Sequence, residues 1–273
     1  MIKSNPHTHT QFGDARSTAE EMVLSAINHG FLSLGFSEHG RQDFNTDCVL
    51  NKEREIQYIN EVNRLKEKYK NQIRIYLGIE RDAYSLSERN LYEYVLGSLH
   101  YVKFGNDFLA VDGNRENLSR AVNEFFKGDG YILAKEYYDN FTKYIVSYKP
   151  DIIGHFDLVC KYNDIYNFFD ENSPEYIQLY KKAMDKMINA CSLMEVNTGR
   201  IVRAKAAVPY PSLEILKYWK SLGGDVILSS DCHDAENIAG GYEKGLAHIH
   251  KAGFKSILQL SYEGTELFTR LPL

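Results

Sequence analysis

The sequence lacks the features that mark membrane proteins and disulfide-linked secreted domains. Its 273 residues contain no apolar run near the roughly 20 residues that span a bilayer, and the first residues form no signal-peptide core. The 4 cysteines are scattered without a C-x-x-C pair, which disfavours both a disulfide framework and a thiolate zinc site. We therefore expect a cytoplasmic protein.

An excess of positive charge is also absent. The chain has 32 Lys and Arg residues against 37 Asp and Glu residues, which gives a formal net charge of −5. This balance disfavours a nucleic-acid-binding protein and a polybasic membrane-binding protein, so we expect neither as a partner. With 44% hydrophobic and 25% charged residues, the composition is that of an ordinary globular protein.

No glycine-rich nucleotide-binding motif follows any predicted strand, which disfavours a dinucleotide- or ATP-binding sheet. Instead, short β-branched runs alternate with longer helical patterns, as is typical of a parallel α/β sheet. Seven such units and a weaker eighth strand follow one another without a proline- or glycine-rich linker. We predict one barrel domain of β/α units over residues 1–273, with an open doubly wound sheet as the alternative.

The predicted strands are short, and most of them end at polar residues. They cover residues 2–5, 31–36, 73–79, 94–99, 150–154, 193–197, 226–230 and 256–260. The predicted helices cover about residues 52–69, 134–148, 174–190, 211–222 and 236–252, and a further helix begins at a Ser17 or Thr18 cap and ends at Gly30. Strand 73–79 is expected to stop at Glu80.

Most of the histidines lie at or just after the ends of predicted strands. These are His7, His9, His39, His100, His155 and His233, and Glu80 and Asp231 occupy the same kind of position. In a barrel the carboxyl ends of the strands meet at one rim, so these side chains should converge. Imidazoles and carboxylates are ligands of zinc, iron and manganese, and this set exceeds the roughly three protein ligands of one catalytic zinc. The pattern predicts a cluster of two or three metals.

Other polar residues are secondary candidates. Asp14 is a further candidate ligand, ahead of Asp43 and Asp47. Glycine at position 199 permits a tight turn that would fold Arg200 over the rim as a phosphate-binding side chain. By contrast His29, His248 and His250 fit helix-terminal, surface or packing positions.

Six motifs together resemble those of the PHP (polymerase and histidinol phosphatase) superfamily, in the order in which that family carries them. They are His7-Thr8-His9, Ser37-Glu38-His39-Gly40, Gly78-Ile79-Glu80, Gly97-Ser98-Leu99-His100, Gly154-His155-Phe156-Asp157 and Ser230-Asp231-Cys232-His233. The segment Glu195-Val196-Asn197-Thr198-Gly199-Arg200 further resembles the histidinol-phosphatase branch. The resemblance implies a distorted (β/α)7 TIM-like barrel with a trinuclear metal site.

The resemblance also implies a ligand set for each metal. His7, His9, Glu80 and Asp231 would hold the first metal, Glu80, His100 and His155 the second, and Asp14, His39 and His233 the third. Position 14 departs from those family members that carry histidine there. An arginine often follows the Gly-His motif in the phosphatase branch, and here Lys161 stands in its place as a candidate phosphate contact.

The implied reaction is hydrolysis of L-histidinol phosphate to L-histidinol and phosphate, by attack of a metal-bridging hydroxide on phosphorus. The third metal and Arg200 would neutralise the phosphoryl oxygens, and a metal-bound water, Asp231 or His233 would protonate the leaving group. Glu195 and Asn197 would contact the organic half of the substrate. The alternatives are a PHP phosphatase for phosphotyrosine or another small phosphate monoester, an amidohydrolase-type metal barrel, and a metal-stabilised barrel without catalytic activity.

Overall fold

The computed structural model describes residues 2–45 and 48–273. The strands are β1 (Ser4–Asn5), β2 (Ser33–His39), β3 (Arg74–Asp82), β4 (Tyr94–Ser98), β5 (Tyr101–Phe104), β6 (Asp107–Ala110), β7 (Ile152–Ile153), β8 (Leu193–Asn197), β9 (Asp225–Ser229), β10 (Ser256–Leu260) and β11 (Phe268–Pro272). The helices are α1 (Ala19–Asn28), α2 (Lys52–Tyr69), α3 (Arg115–Phe126), α4 (Gly130–Tyr148), α5 (Asn163–Tyr166), α6 (Pro174–Met187), α7 (Gly199–Arg203), α8 (Leu213–Ser221) and α9 (Tyr242–Lys251).

The main sheet is curled and almost entirely parallel. Its strand order is β1-β2-β3-β4-β7-β8-β9-β10-β11, and the pairing of β10 with β11 is antiparallel. The chain segments that follow β1 and β9 also meet, through a parallel bridge between Thr8 and Cys232 in which the His9 amide donates to the Cys232 carbonyl at 2.9 Å. The predicted class, a distorted (β/α)7 TIM-like barrel, is confirmed.

Alternation of side chains along the strands builds the barrel interior in layers. The lower layer is apolar and consists of Tyr76, Tyr94, Leu96, Ile152, Leu193, Ile227 and Leu260. Glu80 lies four residues beyond Tyr76, and Glu195 lies two residues beyond Leu193, so both point to the same interior above this layer. Tyr94 fits only because position 78 is glycine, since a Cβ at Gly78 would lie 2.2 Å from the Tyr94 ring.

The helices cover the outside of the sheet with their apolar faces. Helix α1 begins with a capping box, in which the Thr18 hydroxyl accepts from the Glu21 amide at 3.2 Å and the Glu21 carboxylate accepts from the Thr18 amide at 2.7 Å. Helix α2 has the predicted bounds and buries Tyr58, Val62 and Leu65, which share one face. Among residues 2–45 and 48–273, no helix combines the length and hydropathy needed to cross a membrane.

Several segments differ from the prediction, among them the following three and the unassigned elements α5, α7 and β11. Strand β3 does not stop at Glu80 but continues to Asp82, because Arg81 and Asp82 pair with the end of β4. The predicted helix over 236–252 is interrupted before α9, where Gly241 has a φ of +75°, a conformation that favours glycine. The unassigned segment after His100 forms the β5–β6 hairpin and helix α3.

Candidate metal centre

The carboxyl ends of the barrel strands bring all nine predicted metal ligands to one rim. His7 and His9 follow β1, His39 ends β2, Glu80 lies in β3, and the others follow their strands at Asp14, His100, His155, Asp231 and His233. Most of these side chains are buried, and the most exposed of them, Asp14, has 30% of its side-chain surface exposed. The convergence that was predicted from strand ends is therefore present in the structure.

Glu80 is the centre of the cluster. Its Oε1 lies 2.8 Å from His155 Nε2, and its Oε2 lies 2.8 Å from His39 Nδ1. The Nε2 atoms of His7 and His9 lie 3.3 and 3.5 Å from Oε2. One buried carboxylate thus has imidazole nitrogens on both of its oxygens, as a carboxylate that bridges two metals would require.

The candidate ligand atoms form three overlapping groups, and the atoms of each group lie within 4.8 Å of one another. The groups are His7, His9 and Glu80; His39, Glu80 and His100; and His9, Asp14, His39 and His233. Asp231 adjoins the first group, with its Oδ1 3.3 Å from His9 Nε2. The third group contains all three residues implied for the third metal, whereas His39 takes the place of His155 in the second group.

Two buried polar atoms in this cluster show that its residues fit a metal. Within the described part of the chain, His155 Nδ1 is buried and makes no hydrogen bond, and Glu80 Oε2 is buried with only imidazole nitrogens near it, of which the nearest, His39 Nδ1 at 2.8 Å, lacks hydrogen-bond geometry. Buried polar atoms are rarely left without a partner, because the loss of water is then uncompensated. Coordination of a cation would compensate both atoms, and nitrogen and carboxylate oxygen are donors that suit divalent transition metals.

The electrostatics of the cluster also favour positive charge. Burial alone would lower the pKa of His39, but Glu80, Asp14 and Glu38 together raise the pKa to about 10. Burial alone would also raise the pKa of Glu80, but His7 and the other imidazoles hold that pKa well below its usual value. The carboxylates therefore remain ionised and create a negative environment in which cations are stable.

Glu195 and Asn197 lie beneath the cluster rather than in a cavity. Both side chains are fully buried. Glu195 Oε1 accepts from His7 Nδ1 at 2.6 Å, and Oε2 accepts from the His155 amide at 2.8 Å. Asn197 Nδ2 donates to Glu195 Oε2 and to Asp231 Oδ2, both at 3.1 Å. This placement corrects the expected substrate contact, because the alternation along β8 turns both side chains into the barrel, where they position ligands.

Two more carboxylates with the same relation to the cluster were missed in the sequence. Glu38 Oε1 lies 3.1 Å from His9 Nδ1, and Asp82 Oδ2 lies 3.4 Å from Nδ1 of His100. A carboxylate at one ring nitrogen fixes the ring and directs the other nitrogen toward a metal. The sequence did contain a signal for them, because each lies within two residues of His39 or Glu80 at a strand end.

A cavity of about 740 Å³ opens beside the metal ligands and carries positive side chains. The predicted phosphate contacts Arg200 and Lys161 both line it. The Arg200 guanidinium lies 4.5 Å from the centre of the Tyr210 ring, which supports it from one face. Lys161 Nζ donates to the Asp112 carbonyl at 2.8 Å. The cavity can therefore receive an anion next to the ligand cluster.

Arg203 is a site residue that the sequence interpretation missed. Its Nη2 lies 2.7 Å from Asp231 Oδ2, and its Nη1 donates to the Asp231 carbonyl and lies 3.1 Å from His233 Nδ1. These contacts hold Asp231 in a left-handed conformation with a φ of +49°. Arg203 follows Arg200 by three residues in α7, and this helical spacing, which places both on one face, was the available signal.

The remaining histidines have structural positions, as predicted. His29 is exposed at the end of α1, where its Nδ1 lies 2.9 Å from the Ser25 carbonyl. His248 is buried with its Nε2 3.0 Å from the Pro211 carbonyl, and His250 is exposed. Of the two weaker ligand candidates, Asp43 is exposed and Asp47 lies outside the described residues.

Comparison with known proteins gives consistent matches over nearly the whole chain. A family model described as PHP domain matches residues 5–199. The histidinol-phosphatase of Lactococcus lactis is 29% identical over 278 residues, covering 96% of this chain and 95% of that protein. The histidinol-phosphatase of Bacillus subtilis is 24% identical over 267 residues, covering 89% of this chain and 98% of the relative.

A solved structure has the same fold. The crystal structure of histidinol phosphate phosphatase from Lactococcus lactis, complexed with zinc, L-histidinol and phosphate, superposes with a TM-score of 0.71 at 23% identity. The match covers 95% of this chain and 97% of that one, so the two folds correspond along almost their full length.

Proposed function

This chain belongs to the PHP domain family, and from that membership we propose that it is a metal-dependent histidinol-phosphatase. The reaction is hydrolysis of L-histidinol phosphate to L-histidinol and phosphate, a step of histidine biosynthesis. Relatives named for this activity match at 24% and 29% identity along almost their full length. We further propose that it acts as one domain, in the cytoplasm, on a small-molecule ester.

The observation that carries the proposal is the position of the ligand cluster at the edge of a cavity whose lining includes Arg200 and Lys161. Glu80 and the histidines around it supply donors for divalent metals, and Arg200 lines the adjoining cavity. A phosphate monoester is a dianion that needs both kinds of group, because its hydrolysis depends on positioning and charge neutralisation.

We propose that the cluster as a whole, including His155 and Asp231 beside the three overlapping groups, holds three metals, which are zinc, manganese or iron. When bound, such ions generate a nucleophile from water at neutral pH and neutralise developing negative charge. His7, His9, Glu80 and Asp231 would hold the first ion. The second would be held by Glu80, His100 and His155, and the third by Asp14, His39 and His233.

The chain's own side chains bind the ester and handle its protons. Arg200 and Lys161 line the cavity in which the phosphoryl oxygens would lie, and a guanidinium can donate to two of these oxygens at once. Arg203 keeps Asp231 in place through its contacts with the carboxylate and the carbonyl. Asp231, which remains ionised, or His233 would take up the proton that the attacking water gives up and pass it to the leaving alkoxide oxygen, which becomes the hydroxyl of L-histidinol.

Phosphate release from a panel of esters tests the proposal. Protein loaded with zinc, manganese or iron should release phosphate from L-histidinol phosphate with a kcat/KM at least about 100-fold above that for phosphotyrosine or a sugar phosphate, because a site specific for one polar substrate rejects others strongly. Glu80→Gln, which removes the central carboxylate charge, should lose both bound metal and activity. Preference for another ester would indicate a PHP phosphatase with a different substrate. Inactivity on every ester with metal bound would refute the proposal that the protein is a phosphatase.

A further inference from the structure

The ligand cluster stands between two cavities that share one wall. The larger cavity, of about 740 Å³, has been described above, and a smaller one of about 290 Å³ lies on the other side. The shared wall consists of Asp14, His39, His100, Asp112 and Lys161. A substrate whose phosphate lies at the cluster can therefore place its organic half in either cavity.

The charges of the two cavities differ. The larger cavity alone contains Arg200, Arg203 and Lys205 together with Glu80, Asp164 and Asp231. Two of these carboxylates already face positive groups, since Asp231 contacts the Arg203 guanidinium and Glu80 lies among imidazoles. Apart from the shared wall, the residues described as lining the smaller cavity include no cation and consist of neutral side chains such as Gln42 and Tyr101. A phosphoryl group therefore meets Arg200 and Lys205 only in the larger cavity, whereas an ammonium group in the smaller cavity meets no described cation beyond the shared Lys161.

Asp112 is placed to receive that ammonium group. Its backbone carbonyl accepts from Lys161 Nζ at 2.8 Å and from the Tyr162 hydroxyl at 3.0 Å, and the preceding amide of Val111 donates to the His100 carbonyl at 2.9 Å. The main chain at this position is thus fixed beside the cluster. The carboxylate is 30% exposed, its nearest cation is Lys161 at 3.8 Å, and it accepts no hydrogen bond from the residues that the structure describes.

We propose that Asp112 is a specificity-determining residue, whose carboxylate binds the ammonium group of an amino-alcohol phosphate ester while the rest of the organic half enters the smaller cavity. This inference rests on the proposed function, because it names the part of the same site that recognises the organic half. It replaces the contact expected from Glu195, which is fully buried. Asp164, another carboxylate of the larger cavity, does not line the smaller one and is exposed on the one-turn helix α5.

A pair of esters that differ only in the amine provides the test. Phosphate release is measured with L-histidinol phosphate and with its deamino analogue, 3-(imidazol-4-yl)propyl phosphate, in the wild type, Asp112→Asn and Asp164→Asn. A charge-assisted hydrogen bond contributes about 10- to 100-fold, so the wild type should prefer the amine by this factor in kcat/KM. In Asp112→Asn the preference should fall at least about tenfold, whereas Asp164→Asn should keep it.

Inhibition by the products gives a second measurement that does not depend on turnover of the altered ester. In Asp112→Asn the Ki of L-histidinol should rise by a factor at least five times larger than any rise in the Ki of inorganic phosphate, because phosphate has no ammonium group for the carboxylate to bind. An unchanged preference in Asp112→Asn, or a loss of preference in Asp164→Asn instead, overturns the inference.

The two hypotheses fail in distinguishable ways. If the wild type hydrolyses both esters with equal kcat/KM, it remains a phosphatase and the role of Asp112 is refuted. If the wild type with metal bound releases phosphate from neither ester, both the proposed function and the inference are refuted.

Discussion

Replacement of Glu195 by glutamine changes the charge beneath the metal ligands while nearly preserving the shape of the side chain. Glu195 accepts four hydrogen bonds, and it does so with both oxygens. Ser229 and His7 donate to Oε1, and Asn197 and the His155 amide donate to Oε2. A glutamine amide has one oxygen and one NH2 group, so either orientation places the NH2 group against two donors.

The size of the effect follows from these contacts. A buried donor left without an acceptor costs about 1–3 kcal/mol, and the loss of a carboxylate that orients a metal-binding histidine costs about 10- to 100-fold in metal affinity. His7 belongs to the first ligand group, and the amide that Glu195 holds belongs to His155 beside Glu80. We therefore expect Glu195→Gln to weaken binding of metal about 10- to 100-fold and to lower the melting temperature.

Metal affinity is measured by competition with a chelating dye, and bound metal is counted after dialysis. Asp151→Asn is a control for the loss of a carboxylate that accepts a backbone hydrogen bond. The Asp151 carboxylate accepts from the amide of Val95, on the neighbouring strand β4, at 2.7 Å. Asp151 precedes β7 and lies at the opposite end of the strands from the ligands. The control should lose stability and keep wild-type metal affinity.

One result would refute the reasoning about Glu195. If Glu195→Gln binds metal within threefold of the wild type and the melting temperature falls as in Asp151→Asn, Glu195 contributes only to stability and does not orient the ligands.

Two further predictions concern other charges. Arg203→Lys removes the guanidinium that contacts both the carboxylate and the carbonyl of Asp231, so kcat/KM for L-histidinol phosphate should fall at least about tenfold. A variant that releases phosphate at the wild-type rate would contradict the role assigned to Arg203. Hydrogen bonds from Lys68 and two other donors lower the pKa of Glu20 from 4.5 to about 2. The exposed contacts therefore stabilise the fold above pH 4.5, by less than about 1 kcal/mol, and this contribution is lost as the pH falls toward 2. Urea unfolding of Glu20→Gln should differ from the wild type at pH 7 and approach it near pH 3, whereas a constant difference would be contrary evidence.

The rim of ligands was predictable because strand ends are visible in sequence. Each of the six clustered histidines follows a short apolar run, and a parallel barrel places all such ends on one side. Neither the spacing between the residues nor their order was needed for this conclusion. The barrel class was predictable for the same reason, since the alternation of strands and helices leaves few arrangements.

The direction of Glu195 was not predictable in the same way. A residue near a strand end can face either the cavity or the barrel interior. Its direction depends on how far the strand continues and on the layer in which the neighbouring side chains lie. Leu193 belongs to the apolar layer, so Glu195 lies in the next layer, directly beneath His7. Only the packed sheet reveals this layering.

Residues outside the regular units were the least predictable. Asp112 follows the β5–β6 hairpin, whose position depends on contacts with a distant loop that contains Lys161 and Tyr162. Sequence patterns report local periodicity and do not report contacts between loops. For the same reason Arg203 was recognised only from its contacts with Asp231 and His233.

The most direct test of the central claim is the rate of phosphate release from L-histidinol phosphate while metal-free protein is titrated with zinc, manganese or iron. The cluster of three ligand groups predicts no activity without metal and a rise to a plateau near three equivalents. Phosphate release by the metal-free protein, or no release at full occupancy with any of these metals, would contradict the account.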